Sequence, residues 1–184
     1  MPNFTKESTT TEVAQAFATQ IAGKIILITG GSPKGLGATA AVAIAKHAPA
    51  LIILTGRNRT LIEETQAAIL ADAPNVKIRL LVFDLANLMS VRQAAKEVNE
   101  YAEKIDVLVN NAGIMAAPYG KTVDGIESHF GVNHVGHFLF TLLILDKLNP
   151  QARIINISSG GYAIGGVRYE DPNFEVTTSR LPVL

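Results

Sequence analysis

Ten residues near the N-terminus, Ile28-Thr-Gly-Gly-Ser-Pro-Lys-Gly-Leu-Gly37, have the composition of a phosphate-holding loop. They leave an apolar run and enter a segment of helical period, so the glycines let backbone N–H groups approach a pyrophosphate at the positive end of a helix. Gly30-x-x-x-x-Gly35 reproduces the first half of a P-loop. Leu36 stands where the phosphate lysine belongs, however, and no Ser or Thr follows for magnesium, which argues against a nucleotide triphosphatase. The G-x-G-x-x-G pattern is not met either, because Gly37 is followed by Ala38, Thr39 and Ala40. On this motif alone, an ordinary strand-to-helix turn is the alternative.

A second stretch bears on which nucleotide such a loop would serve. An NAD site usually closes its second strand with an acid for the ribose 2'-hydroxyl, but here the strand runs into Thr55-Gly56-Arg57-Asn58, with no carboxylate. Arg57 offers a fork of donors suited to a 2'-phosphate, and Lys34 can add charge from the glycine loop. As a mere surface cation at a helix start, Arg57 would oppose the helix dipole and gain nothing, so its position favours a ligand role and NADP over NAD. His129, His134 and His137 lack the acid or cysteine that would complete a metal-ligand spacing and read as neutral helix-surface histidines, so no metal is expected. Glu63-Glu64 and the acidic positions from Glu97 to Glu103 read as solvated helix faces.

These residues need a scaffold that collects strand ends. Apolar β-rich runs at Lys24–Thr29, Leu51–Leu54, Val76–Phe83, Asp106–Val109 and Arg153–Ile157 alternate with helical periods at Leu36–His47, Arg59–Leu70, Ser90–Glu103 and Val123–Leu148. Most of the strand runs are apolar on both faces, as buried parallel strands are. The alternation predicts an α/β fold, a doubly wound parallel sheet of the Rossmann type with helices on both faces and ligands outside the carboxyl ends of the strands. Residues 1–20 form a polar lead with a short helix near Glu12–Gln20, and 21–184 form one nucleotide-binding domain.

Together with four further stretches, the loop resembles the short-chain dehydrogenase/reductase family, in particular its retinol-dehydrogenase-like branch and fungal relatives. Asp84-Leu85 after the third strand matches the family's adenine-binding acid, and Asn110-Asn111-Ala112-Gly113 after the fourth matches its NNAG signature. Asn133, within Phe130-Gly-Val-Asn-His-Val-Gly-His137, matches the asparagine of the long helix. Ser158-Ser159 matches the end of the catalytic-serine motif. The likeness runs from about Gly23 to Phe174, with one residue more than usual between Gly30 and Gly35.

The resemblance implies hydride transfer between nicotinamide and a carbonyl or alcohol carbon. Ser159 would hold the substrate oxygen and Asn133 would support a water-linked proton relay. The coenzyme contacts would be Gly30, Ser32, Lys34, Gly35, Leu36 and Gly37, then Arg57, Asp84 and Leu85, then Asn111, Ala112 and Gly113. The family's remaining partners are a tyrosine and, four residues on, a lysine that lowers its pKa. Tyr101, Tyr119, Tyr162 and Tyr169 are followed at that spacing by Ile105, Val123, Gly166 and Asn173, so the pair is absent; relatives with a longer serine-to-tyrosine segment would place it beyond Leu184. Two readings follow: an NADP-dependent oxidoreductase in a C-terminally shortened form, or a non-catalytic NADP-binding or interaction protein.

The whole-chain quantities exclude other classes. Sixteen basic and sixteen acidic residues give a formal net charge of zero, which argues against nucleic acid or an anionic membrane surface. There is no cysteine, hence no disulfide framework, thiolate nucleophile or Cys-ligated zinc. No apolar run approaches the roughly 18 residues of a spanning helix, and the polar N-terminus resembles neither a signal peptide nor a presequence, so a cytoplasmic protein is expected. The resemblance implies a further helix that would cover the fifth strand and pair with Val123–Leu148 at a homodimer interface; without it, an uncovered strand bearing Ile154, Ile155 and Ile157 predicts self-association.

Overall fold

The computed structural model describes residues 3–163 and 165–176. After helices α1 (Thr10–Ala16) and α2 (Ala18–Ile21), the chain alternates β1 (Ile25–Ile28), α3 (Leu36–Ala45), β2 (Leu51–Gly56), α4 (Arg59–Asp72), β3 (Ile78–Val82), α5 (Leu88–Glu100) and β4 (Ile105–Asn110). There follow α6 (Ser128–Phe130), a π-helical segment (Gly131–Gly136), α7 (His137–Leu143), a 3-10 turn (Leu145–Lys147), β5 (Leu148–Asn156) and a last 3-10 turn (Gly160–Ala163). The five strands form one parallel sheet in the order β3-β2-β1-β4-β5. The order reverses between β1 and β4, the topological switch point at which such sheets bind ligands.

Strand alternation sorts the apolar residues into two cores. Leu27, Leu51 and Ile53 face α5 and α7 through Val91, Val98, Phe140 and Ile144, with Phe83 and Phe140 stacked at 4.8 Å between ring centres. Ile26, Ile28, Ile52 and Leu54 face α3 and α4 through Ala41, Ala45, Ile62 and Ile69. Both faces of the central strands are thereby buried, which is why they read as continuous apolar runs. Truncating the fully buried Leu27 or Ile53 to alanine costs about 2–5 kcal/mol on this packing.

Three element boundaries differ from the sequence expectation. The N-terminal helix is split: the Thr9–Glu12 capping box starts α1, and the chain turns at Phe17 before α2. The long helix does not start at Val123. Thr122 to Gly125 form a turn with Gly125 at φ +78°, Lys121 and Glu127 bridge, and the Glu127 carboxylate accepts the His129 and Phe130 N–H groups to open α6. Val123 and Ile126 mimic helical spacing while belonging to that turn. The helix also stops at Leu143, because Leu148 already pairs with Ile105; the register then jumps to Val107–Arg153, a bulge that accommodates Pro150 without a ladder donor. Among the described residues, no helix is long and apolar enough to cross a membrane.

Candidate functional site

The carboxyl ends of β1 to β4 surround a cleft of about 360 Å³. Its walls are Gly30, Ser32, Pro33, Gly35 and Leu36 from the first loop, Thr55 to Arg57 after β2, Phe83 to Leu85 after β3, Asn111 to Ile114 after β4, and Val132 from the π-helical segment. The buried Thr29 ties the first and fourth strand ends together. Its hydroxyl oxygen accepts the backbone N–H groups of Asn111 (2.8 Å) and Ala112 (2.9 Å), while the Asn111 carboxamide donates to the Thr29 carbonyl at 2.7 Å.

Two glycines are required by this closeness. Gly30 sits at φ +76°, and a Cβ there would lie 2.8 Å from the Ala112 Cα; a Cβ on Gly37 would lie 2.5 Å from the Gly30 carbonyl oxygen and 2.6 Å from the Asn111 Nδ2. The helix start that results is electrostatically open. Thr9, Asn58 and Asn87 cap α1, α4 and α5 with their side chains, whereas the N-cap of α3 is Gly35, with no side-chain cap and no acid in the first turn. Backbone N–H groups and the positive helix end therefore face the cleft without an internal partner from a side chain, a fit to phosphate oxygens.

Arg57 stands exposed at the rim beside Gly56, and none of the ion pairs recorded among the described residues involves it. Lys34 is placed differently. It lies at φ +64° and lines a separate cavity with Thr10, Thr11, Lys46 and Glu64, between α1, α3 and α4, rather than the cleft. Asp84 lines the cleft and folds one carboxylate oxygen back onto the Ala86 N–H (2.9 Å). Leu85, Ala112 and Gly113 also line it, while Gly37 sits behind the loop it supports.

Asn133 and Ser159 are not in the cleft wall. Asn133 commits both ends of its carboxamide to one residue of the loop after β4, accepting from Ile114 N–H at 2.8 Å and donating to Ile114 C=O at 2.9 Å. Ser159 follows the end of β5, where Ile157 N–H still reaches the Asn110 carbonyl (2.9 Å), and its hydroxyl is exposed and accepts the Gly161 N–H at 3.2 Å. Tyr162, on the turn beyond it, is 79% exposed.

The histidines separate. His134 is exposed and stacks between Phe130 and Phe138. His137 is not a surface residue: it is 5% exposed, with Nε2 2.9 Å from the Thr29 hydroxyl and Nδ1 3.3 Å from the Asn133 carbonyl. Burial pushes its pKa below the ordinary 6.5, outweighing the Asn133 and Val132 carbonyls that favour its protonation. A sequence signal for this existed, since His137 shares its helix face with Phe140 and Ile144, both fully buried. Thr29 was equally readable only as a strand end. Asn110 is the other buried polar group at these strand ends, its Nδ2 donating to Thr141 (3.0 Å) and Asn156 (2.9 Å), its Oδ1 without a partner among the described residues.

Comparison with known proteins places these features in a family. The model for short chain dehydrogenase matches residues 24–169. An oxidoreductase of Fusarium equiseti, fscI, is 39% identical over 178 residues, covering 93% of this chain and 69% of that protein. Human retinol dehydrogenase 13 is 40% identical over 157 residues, covering 84% of this chain and 47% of its own length. The chain thus spans about half the length of the retinol dehydrogenases it matches. An uncharacterised protein of Mycobacterium paratuberculosis superposes with a TM-score of 0.71 at 35% identity, covering 87% of this chain and 54% of that one.

Proposed function

The chain belongs to the short-chain dehydrogenase family, and on that premise we propose that it serves an NADP-dependent oxidoreductase acting on a carbonyl or alcohol. The observation that carries the coenzyme reading is the pairing of an uncapped α3 N-terminus with Arg57 at the end of β2, where no carboxylate stands. The first suits a pyrophosphate; the second suits a 2'-phosphate and leaves the 2'-hydroxyl of NAD without its usual acceptor. Lys34, facing the other cavity, adds little to this, so the preference rests on Arg57.

When bound, NADP supplies or accepts a hydride at its nicotinamide. The residues of the chain bind and orient it: Gly30, Ser32, Gly35, Leu36 and the Gly37-supported loop around the phosphates, Asp84, Leu85 and Asn111 on the adenosine half, Ala112 and Gly113 along the cleft floor. Asn133 holds that floor through Ile114, and Ser159 orients the substrate oxygen from the end of β5. No tyrosine of this sequence is followed four residues later by lysine.

Titration of the purified chain with NADPH and NADH, followed by turnover on a panel of carbonyl compounds, tests the reading. NADPH is expected to bind more tightly. Arg57→Asp is expected to weaken NADPH by about tenfold or more while changing NADH little. Equal losses for both would remove the 2'-phosphate contact, binding without turnover would favour a non-catalytic nucleotide-binding role, and absence of binding would remove the nucleotide reading itself.

A further inference from the structure

The buried imidazole of His137 does not line the cleft, yet it joins two groups that hold the cleft's lining in place. One nitrogen faces the Thr29 hydroxyl, which holds the Asn111–Ala112 turn; the other faces the carbonyl of Asn133, whose side chain holds Ile114. The irregular helix makes the second contact available. The backbone N–H of His137 points to the His134 carbonyl, one residue short of the α-helical partner Asn133, and the imidazole of the same residue meets the Asn133 carbonyl instead.

Counting donors and acceptors selects the tautomer. A threonine hydroxyl has one proton and two lone pairs. Both lone pairs of Thr29 are taken by the N–H groups of Asn111 and Ala112, so its proton must leave along one of two directions: Val109 C=O at 3.3 Å or His137 Nε2 at 2.9 Å. A proton on Nε2 would give the hydroxyl three donors for two lone pairs and would aim the bare Nδ1 at a carbonyl oxygen. With the proton on Nδ1 every group is satisfied: Nδ1–H donates to Asn133, and Nε2 accepts from Thr29.

We infer that His137 is a positioning residue, a neutral imidazole protonated on Nδ1 that clamps the Asn133 helix to Thr29 and so fixes the Asn111–Ile114 floor of the coenzyme cleft. This builds on the nucleotide reading above for its consequence, but not for its geometry. The described titratable group in its field is His134, on the same helix; the elements packed against it present Thr29 and the Asn133 carbonyl, which carry no charge.

The test has two arms on the same protein. In isotope-labelled chain, with the His137 ring identified by its loss in His137→Phe, the ring nitrogens are expected to show a proton on Nδ1 and none on Nε2 at pH 6 to 7.5, with or without NADPH. A proton on Nε2, or a cationic ring at pH 6, overturns the inference. In the second arm, His137→Phe keeps the ring volume and removes both nitrogens, and is expected to lower NADPH affinity about tenfold. His137→Gln, whose amide oxygen can again accept from Thr29, is expected to recover part of that loss. Wild-type affinity in the Phe variant would show that ring volume alone suffices, and equal losses in Phe and Gln would show that an acceptor for the Thr29 hydroxyl does not matter; either result overturns the role. If wild-type chain binds no coenzyme at all, the nucleotide reading fails while the ring measurement still decides the clamp.

Discussion

Single atoms decide how closely the loops around the cleft can pack. Gly37 stands where a methyl group would meet a backbone oxygen and the Asn111 carboxamide at about van der Waals-forbidden separations of 2.5 and 2.6 Å. Neither neighbour is the free end of a flexible side chain, because the carboxamide is held to Thr29. Gly37→Ala is therefore expected to destabilise the chain by about 1–3 kcal/mol and to cost coenzyme affinity; isothermal titration beside a urea melt separates the two. That the residues ending the strands and beginning α3 gather around one cleft was legible, because each stands at an element boundary, and most of them do line it. The direction of Lys34 was not legible, and His137 was legible only as a position on the same helix face as Phe140 and Ile144, not as a link to Thr29. The direction of a residue at φ +64° follows from the loop's closure, and the burial of His137 follows from how α7 packs on the sheet.

At the scale of elements, Thr9, Asn58 and Asn87 cap α1, α4 and α5 with their side chains, whereas Gly35 at the head of α3 caps with none. Asn87 accepts the N–H groups of Met89 and Ser90 at the head of α5, and Asn87→Ala is expected to cost about 1 kcal/mol, read as a Tm lower by roughly 2–4 °C with coenzyme binding unchanged. The head of α6 depends on a carboxylate instead. Burial alone would push the Glu127 pKa up, but the His129 and Phe130 N–H groups and the His129 ring together hold it below its ordinary 4.5. A depressed carboxylate stabilises the fold above its unfolded pKa and loses that contribution as pH falls through the lower folded value. Stability measured by urea between pH 6 and 3 should thus drop more steeply for wild type than for Glu127→Gln; parallel curves would deny Glu127 this part. The Val123–Glu127 stretch shows why this cap escaped sequence periodicity. Two apolar residues three apart look helical whether they lie on a helix or flank a turn, and only Gly125 and the Lys121–Glu127 bridge distinguish the cases.

For the molecule as a whole, the fifth strand carries the prediction about behaviour in solution. A parallel sheet is stable when helices cover both faces, yet among the described residues β5 is one edge of the sheet, with Ile154 and Ile155 in it and Ile157 just after it each 41 to 49% exposed. Phe138, Leu142 and Leu145, on the helix and turn that precede β5 in the chain, are also exposed. The purified chain is expected to self-associate in sedimentation velocity, and Ile155→Lys to shift it toward monomer; a monodisperse wild-type monomer with a cooperative melt would contradict this. Sequence by itself determined the alternation of strands and helices, and with it the parallel sheet, because continuous apolar runs and helical periods are local properties of the chain. It also determined which residues crowd the strand ends. The three-dimensional packing alone decided which of those residues face the cleft, which one faces away, and that a histidine becomes a buried link between β1 and the Asn133 helix. Those outcomes depend on contacts between Thr29, Asn111, Asn133 and His137, whose separations along the chain leave no trace in local pattern.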